Sequence, residues 1–295
     1  KSLYTNYNDG VISWFANLYE PSIGGYYYSN SARNTQGFFP DIESTSQALD
    51  FISGSGLTSK VGSVKNALPE WMQKQLIYFF KSRQDANGYF YHPQWTKEAI
   101  DANDTRRGRD LSKAVSGLAY FGAKPTYDTP QGDKGDGILA DGTPVGAESA
   151  SLLTPSLRVD KLLAVSKVVA VASEGYVHPY LQSKESFKAY LNTLDINGSP
   201  YKTSSILSTW NSQIVRRDKQ LKAEGKEGLE KTYFDWLESK QNPKTGLWTT
   251  YDYADYEGVN GLLKISGVWS VFKRPFPHAM EAARSTLEVI SAMKP

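Results

Sequence analysis

Apolar residues along this chain recur three and four positions apart over most of its length and hardly ever alternate, which is the pattern of helices and not of strands. Residues 11–20 (VISWFANLYE) carry such a stripe and stop before Pro21 and Gly24-Gly25. Ser44-Thr45-Ser46-Gln47 reads as a capping box for the next helix. A longer amphipathic helix is predicted over 67–84, with Pro69 in its first turn, and another over 111–121, stopped by Gly122 and Pro125. The most apolar segment, 156–173, reads as an inner helix. Helices over 186–194, 204–223, 228–241, 258–271 and 277–293 complete the set. The stretch 124–155, rich in Gly, Asp, Pro and Thr from Thr126 on, has no such period. An irregular run of that length inside a compact domain is expected to be a lid or a site loop.

Three helix ends look alike. WFANLYEPSIGGYYY from Trp14, FFKSRQDANGYFYHP from Phe79 and DWLESKQNPKTGLWTTY from Asp235 each join an aromatic helix to a glycine turn and then to aromatics. Gln84-xxx-Gly88-x-Phe90 and Gln241-xxxx-Gly246-x-Trp248 approximate one pattern. A repeat at the scale of a helix pair implies stacked hairpins, because one pair cannot bury its own apolar face. The expected fold is therefore all-α: one domain over 1–295, an α/α barrel or toroid of about five or six helical hairpins with aromatics at its mouth.

These glycine turns resemble the QxxxGxW turns of the α/α-toroid superfamily, which includes terpene cyclases, prenyltransferases and helical-toroid carbohydrate-active enzymes such as polysaccharide lyases and glycoside hydrolases. Pro40-Asp41-Ile42-Glu43-Ser44-Thr45 is also similar to the PDxDDT acid motif of class II terpene cyclases, with Glu43 standing where their proton donor is and Ser44 in place of the last Asp. The resemblance implies a shared toroid architecture and, through it, candidate acids at Asp41 and Glu43. It is not read as terpene chemistry.

Composition changes the picture in one respect. The 295 residues include 19 Tyr, 12 Phe and 7 Trp against 3 Met, an excess that suits a wet, aromatic-lined ligand surface better than a dry core. A net charge of +2 without a long basic run argues against nucleic acid, and no apolar run is long enough to span a membrane. Cysteine is absent, so disulfides and thiolate chemistry are excluded. A Tyr-, Ser-, Asn- and Gln-rich, Cys-free composition fits a secreted or periplasmic bacterial protein whose leader has been removed. No Walker loop, dinucleotide fingerprint, zinc motif or nucleophile elbow is present, and no cofactor is expected. Asp133, Asp136 and Asp141 miss the spacing of a calcium loop, so no metal is expected either.

Candidate chemistry concentrates between Phe79 and Asp110. Tyr91, His92 and Trp95 come after the turn, and Arg106, Arg107 and Arg109 stand among Asp101, Asp104 and Asp110. Cleavage of a uronic-acid polysaccharide by β-elimination needs a cation or amide to neutralise the carboxylate, and Tyr or His to move the proton. Asn30, Arg33, Asn34, Arg106, Arg107 and Arg109 are the candidates for the first task, and Tyr91, His92, His178 and Tyr180 for the second. Tyr27, Trp95, Trp248 and Tyr251 are candidate stacking platforms for sugar rings. His278, at a helix start, reads as structural. A hydrolase on the same scaffold would need two carboxylates, for which Asp41 with Glu43, Asp101 with Asp104, and Asp252 with Asp255 or Glu257 are available. The non-enzymatic alternative is a toroid that binds a glycan or peptide without changing it. The expectation is a lyase on an acidic polysaccharide or oligosaccharide, then a hydrolase, with oligomeric state unassigned.

Overall fold

The computed structural model describes residues 9–56, 58–146 and 177–292, so the apolar helix expected over 156–173 lies outside the described residues. The chain is mostly helical, with two short strands among the described residues. It divides into two compact units, Lys1–Tyr176 (unit 1) and Val177–Pro295 (unit 2), each with a hydrophobic core of its own.

Unit 1 begins with α1 (Asp9–Ala16). The helix expected to reach residue 20 ends earlier because Tyr19–Glu20 (β1) pairs antiparallel with Gly25–Tyr26 (β2). The short α2 (Asn30–Arg33) leads to α3 (Ile42–Gly54). The expected capping box at Ser44 is not the cap: Asp41 is, accepting from the Ser44 backbone N–H at 2.6 Å. Ile42, Thr45, Leu49 and Ile52 then fall on one buried face of α3. After α4 (Val64–Ala67) comes α5 (Glu70–Lys81), with Pro69 just ahead of it as N-cap. Met72, Leu76, Phe79 and Phe80 are the buried face of α5. The short α6 (Lys97–Asp101) precedes α7 (Asp104–Ala119), which starts nearly two turns before the expected residue 111. Its extension is explained by the Asn103 cap and by the pairs Asp104–Arg107 and Arg106–Asp110 along its first turns. Leu111, Ala114 and Leu118 seat α7 in the core. Gly117 lets α7 approach α5, since a Cβ there would meet the Phe80 ring at 2.3 Å.

Helices α3 and α7 run in the same direction. Glu43, near the start of α3, meets Arg109 near the start of α7 at 3.1 Å. Asp50, near the end of α3, accepts from Lys113 at 3.0 Å and from the Tyr120 hydroxyl at 2.8 Å, both further along the chain of α7. Two N-terminal helix ends therefore lie together.

In unit 2 a 3-10 turn (Pro179–Leu181) leads to α8 (Lys184–Leu191), opened by a reciprocal Ser183–Ser186 capping box. The long α9 (Pro200–Ala223) buries Thr203, Leu207, Trp210, Ile214, Asp218 and Leu221, a stripe at spacings of four and three. Helices α10 (Glu230–Lys240), α11 (Tyr256–Ile265), α12 (Gly267–Val271) and α13 (Ala279–Ala292) come next. The single helix expected over 258–271 is two, broken at Ser266. Trp210, Tyr233, Phe234, Trp248 and Trp269 are among the largest side chains of its core.

Candidate functional site

The two glutamine turns hold up both units by the same device. Beyond α5, the Gln84 carboxamide donates to Gly88 O at 3.2 Å and to Tyr127 O at 2.9 Å, and accepts from the Tyr127 N–H at 3.0 Å. Beyond α10, Gln241 donates to Gly246 O at 2.9 Å and to Pro277 O at 3.1 Å. Each glutamine thus pins its own turn to backbone beyond the next long helix. Both glycines have positive φ, 85° at Gly88 and 69° at Gly246. A side chain there would also strike backbone, at 2.2 Å from Asp128 O and 2.4 Å from Ala282 N respectively. The two residues after each glycine point inward: Tyr89 and Phe90 in unit 1, Leu247 and Trp248 in unit 2 are all buried.

The segment after Gly88 then crosses to the start of α3. His92 Nε2–H donates to Pro40 O at 3.0 Å, and Nδ1 accepts the Gln94 N–H at 3.0 Å. The ring is neutral and both nitrogens are used. Burial holds its pKa down to about 4, with the neighbouring Asp41 acting in the opposite sense. The expected proton carrier is thereby a tie between a loop and a helix start. Tyr91 is engaged as well: its hydroxyl donates to Asp101 at 2.8 Å and accepts from Asn87 at 2.8 Å. Burial and Asp101 push that phenol above its ordinary range, the wrong direction for a base.

Arginine and carboxylate meet at the paired starts of α3 and α7. Glu43 holds Arg109 at 3.1 Å and lies 3.9 Å from Arg106. Arg106 Nε donates to Asp110 Oδ2 at 2.9 Å, while its guanidinium sits 4.3 Å from the Trp95 ring centre. Trp95 is 44% exposed, whereas Asp110 is fully buried. Within this pair Asp110 Oδ1 and Arg106 Nη2 are buried without a hydrogen-bond partner among the described residues. Burial raises the Asp110 carboxyl to about 7; Arg106 pulls it down, and Asp41 and Glu43 add to the rise. The arrangement sets two arginine-paired carboxyls together, Asp110 buried with a raised pKa and Glu43 partly exposed. Arg107 stands apart, buried, bonded to Asp104 at 2.8 Å and to Asp101 O at 3.2 Å. It braces α6 against α7.

The other candidates are not in this cluster. Arg33 grips the hairpin through Asn17 O, Tyr19 O and Glu20, Asn30 accepts from Asn17, and Asn34 caps α2. Tyr27 continues the hairpin by donating its N–H to Leu18 O at 2.9 Å. In unit 2, His178 accepts the Tyr180 N–H as cap of the 3-10 turn and lies 4.5 Å edge-on to Trp210. Tyr180 is stacked on Tyr190 at 4.1 Å. Trp248, expected as a platform, is wholly buried with its indole N–H on Leu237 O, so it has no face for a sugar. Tyr251 bonds Asp255, which lifts its phenol to about 12, and stacks on Tyr253 at 4.2 Å.

Asp136, in the glycine- and aspartate-rich stretch, forms an ion pair with the buried Lys81 at 2.8 Å. Asp133 bonds Thr129 and Gln131, and Asp141 bonds Thr143. The described part of that stretch is thus fastened along α5 and the Gln84 turn. Sequence reasoning passed over Asp110 as a site residue. The signal was its spacing of four and seven to Ala114 and Gly117, which puts it on the inner face of α7 once that helix is known to start at Asp104. Compared with protein-family models, characterised proteins and solved structures, the chain matches none.

Proposed function

We propose that the chain is a carbohydrate-active protein whose reactive end lies where α3 and α7 begin in unit 1, and that it hydrolyses a glycosidic bond. One observation carries this reading. Two carboxyls meet one guanidinium, buried Asp110 at 2.9 Å from Arg106 and part-exposed Glu43 at 3.9 Å, with the exposed Trp95 ring on the same guanidinium. Glu43 is the carboxylate at the sugar, with Asp41 as second acid. Asp110, out of reach of any substrate, sets the orientation and charge of Arg106. Trp95 supplies the stacking surface.

Within unit 1, the parallel α3 and α7 with adjoining N-termini are consistent with an α/α toroid. A secreted or periplasmic location suits a polysaccharide substrate. Hydrolysis moves ahead of β-elimination because Tyr91 and His92 have their polar atoms engaged. Elimination keeps one supporting observation, Arg106 beside Trp95, which suits a uronate.

The test is a screen against neutral and acidic polysaccharides that tracks new reducing ends and ultraviolet absorbance together. Reducing ends without absorbance, lost about a hundredfold or more in Glu43→Gln, are the expected result. Absorbance rising with reducing ends means elimination instead. Binding with silence in both channels means a lectin-like protein.

A further inference from the structure

Unit 1 holds a cavity of about 480 Å³ that the glycan reading does not use. That volume falls inside the span of small-molecule sites, roughly 300–1,000 Å³. Phe15 of α1, Tyr19 and Tyr26 of the hairpin, Ile52 of α3, Leu68 after α4 and Met72 of α5 form its walls. Ile52 lies roughly 14 Å along α3 from Glu43, and no residue of the Arg106 cluster lines the cavity. Among the described residues no Asp, Glu, His, Lys or Arg lines it, so a charged ligand would lose its water there without return.

One group in that wall has no use in the fold. Tyr26 is 2% exposed, with the rings of Phe15 and Tyr19 at 5.2 and 5.1 Å between centres. Its backbone is engaged: the N–H donates to Thr45 Oγ1 at 2.9 Å and the carbonyl accepts the Asp41 N–H at 3.3 Å. Its hydroxyl has no hydrogen-bond partner among the described residues. The neighbouring phenol differs, since Tyr19 donates to Gln75 Oε1 at 2.7 Å. Phenylalanine at position 26 would fill the same space without burying an unanswered polar group. Burial, with Tyr19 adding, raises the pKa of the Tyr26 phenol, so it keeps its proton and remains a donor. One polar group set in an apolar wall is how small-molecule sites fix the orientation of what they bind. The mouth is apolar too, with Ile12 and Val61 exposed there.

We propose that this cavity binds a small uncharged aromatic molecule whose carbonyl oxygen accepts a hydrogen bond from the Tyr26 hydroxyl. The aromatic and aliphatic walls supply the contact area, and the phenol sets which end of the ligand enters first. The proposal stands independently of the glycan reading, because its probes are not sugars and its residues are not those of the charged cluster.

The experiment is a ligand-observed NMR titration of the whole protein with acetophenone, ethylbenzene and benzoate. Acetophenone is expected to bind saturably, ethylbenzene more weakly and benzoate not at all. Tyr26→Phe keeps the ring and removes only the hydroxyl. It is expected to weaken acetophenone about two- to tenfold, the worth of one hydrogen bond, and to leave ethylbenzene unchanged. Ala16→Trp, at an exposed position lining the cavity, fills the space and is expected to abolish binding of both. No binding of acetophenone, or binding that survives Ala16→Trp, overturns the proposal. So does benzoate binding as tightly as acetophenone. An equal effect of Tyr26→Phe on acetophenone and ethylbenzene overturns it as well, because the hydroxyl would then have no part in recognition.

Discussion

The Gln84 turn and the Gln241 turn are made of the same parts and lead to different ends. Each closes a helix with a glutamine, bends at a positive-φ glycine, buries an aromatic and is pinned to backbone far downstream. Beyond that point they diverge. The long helix after Gly88 opens with Arg106, Arg107, Arg109 and Asp110 and meets Glu43 of α3. The helix after Gly246 opens under an Asp255 cap and presents Gly258 and Gly261, the latter so close to α9 that a Cβ would lie 2.8 Å from Pro200. The shared pattern is therefore a packing device. Function is to be sought in the charges of the next helix, and of these two helices only α7 sets arginine and carboxylate against each other.

The strongest way to break this comparison is to empty both turns. Phe90→Ala and Trp248→Ala remove side chains with no exposure at all, and each should cost about 3–5 kcal/mol in denaturant unfolding. A loss confined to one unit would show that the turns are alike in outline only. The glutamines sharpen the same point at smaller scale. Gln84 uses both ends of its carboxamide, whereas the buried Gln241 Oε1 has no hydrogen-bond partner among the described residues. Gln84→Ala should therefore cost about 2–3 kcal/mol and Gln241→Ala about 1 kcal/mol, read by the same unfolding curves. The reverse order would mean that the Tyr127 contact contributes little.

This comparison also shows how far the sequence could be read. Helical period, glycine turns and the Gln-Gly-aromatic repeat were all legible, because each is local chemistry. The role of the aromatics was not. Trp248 and Trp95 come after similar turns, and nothing in their spacing says that one is sealed in a core while the other stays half exposed. Burial is decided by neighbours distant in sequence, Trp269 and Phe276 for Trp248. His92 is a similar case. Its pairing with Pro40, which engages Nε2, spans fifty-two residues. Asp110 was visible as a charge and hidden as an inner-face residue, since the register of α7 depends on a cap at Asn103 that lay outside the helix expected there.

Acidity tests the polar half of the comparison, because the shifted groups of unit 1 oppose each other. Asp110 is raised to about 7 from 3.8, so between those values the folded state keeps a proton that the unfolded chain has released. Its contribution is complete at low pH and is lost as pH rises to about 7. His92 is lowered to about 4 from 6.5, so its contribution is complete above 6.5 and is lost as pH falls towards 4. Between pH 4 and 6.5 the two slopes, each at most about 1.4 kcal/mol per pH unit, cancel. Asp110→Asn should remove one of them, so that its stability relative to wild type rises with pH across this window. Parallel profiles for the two proteins would mean that Asp110 titrates normally.

The smallest expected effect discriminates best between a site and a merely aromatic surface. Each unit holds out supported rings, of which two of similar exposure make the comparison. Trp95, 44% exposed, is backed by the Arg106 guanidinium, and Tyr180, 39% exposed, is stacked on Tyr190. Their exposure is similar, so sugar stacking alone would favour both. Their surroundings differ, because Trp95 lies on Arg106, which bonds Asp110 and lies 3.9 Å from Glu43, while Tyr180 adjoins Tyr190, Trp210 and His178. Trp95→Ala should raise the KM for an oligosaccharide about two- to tenfold, the worth of one aromatic contact, with little change in kcat. Tyr180→Ala should leave both constants as they are. Equal losses from the two substitutions would place recognition in aromatic content at large, and the charged cluster at the start of α7 would then be a scaffold like the turn that precedes it.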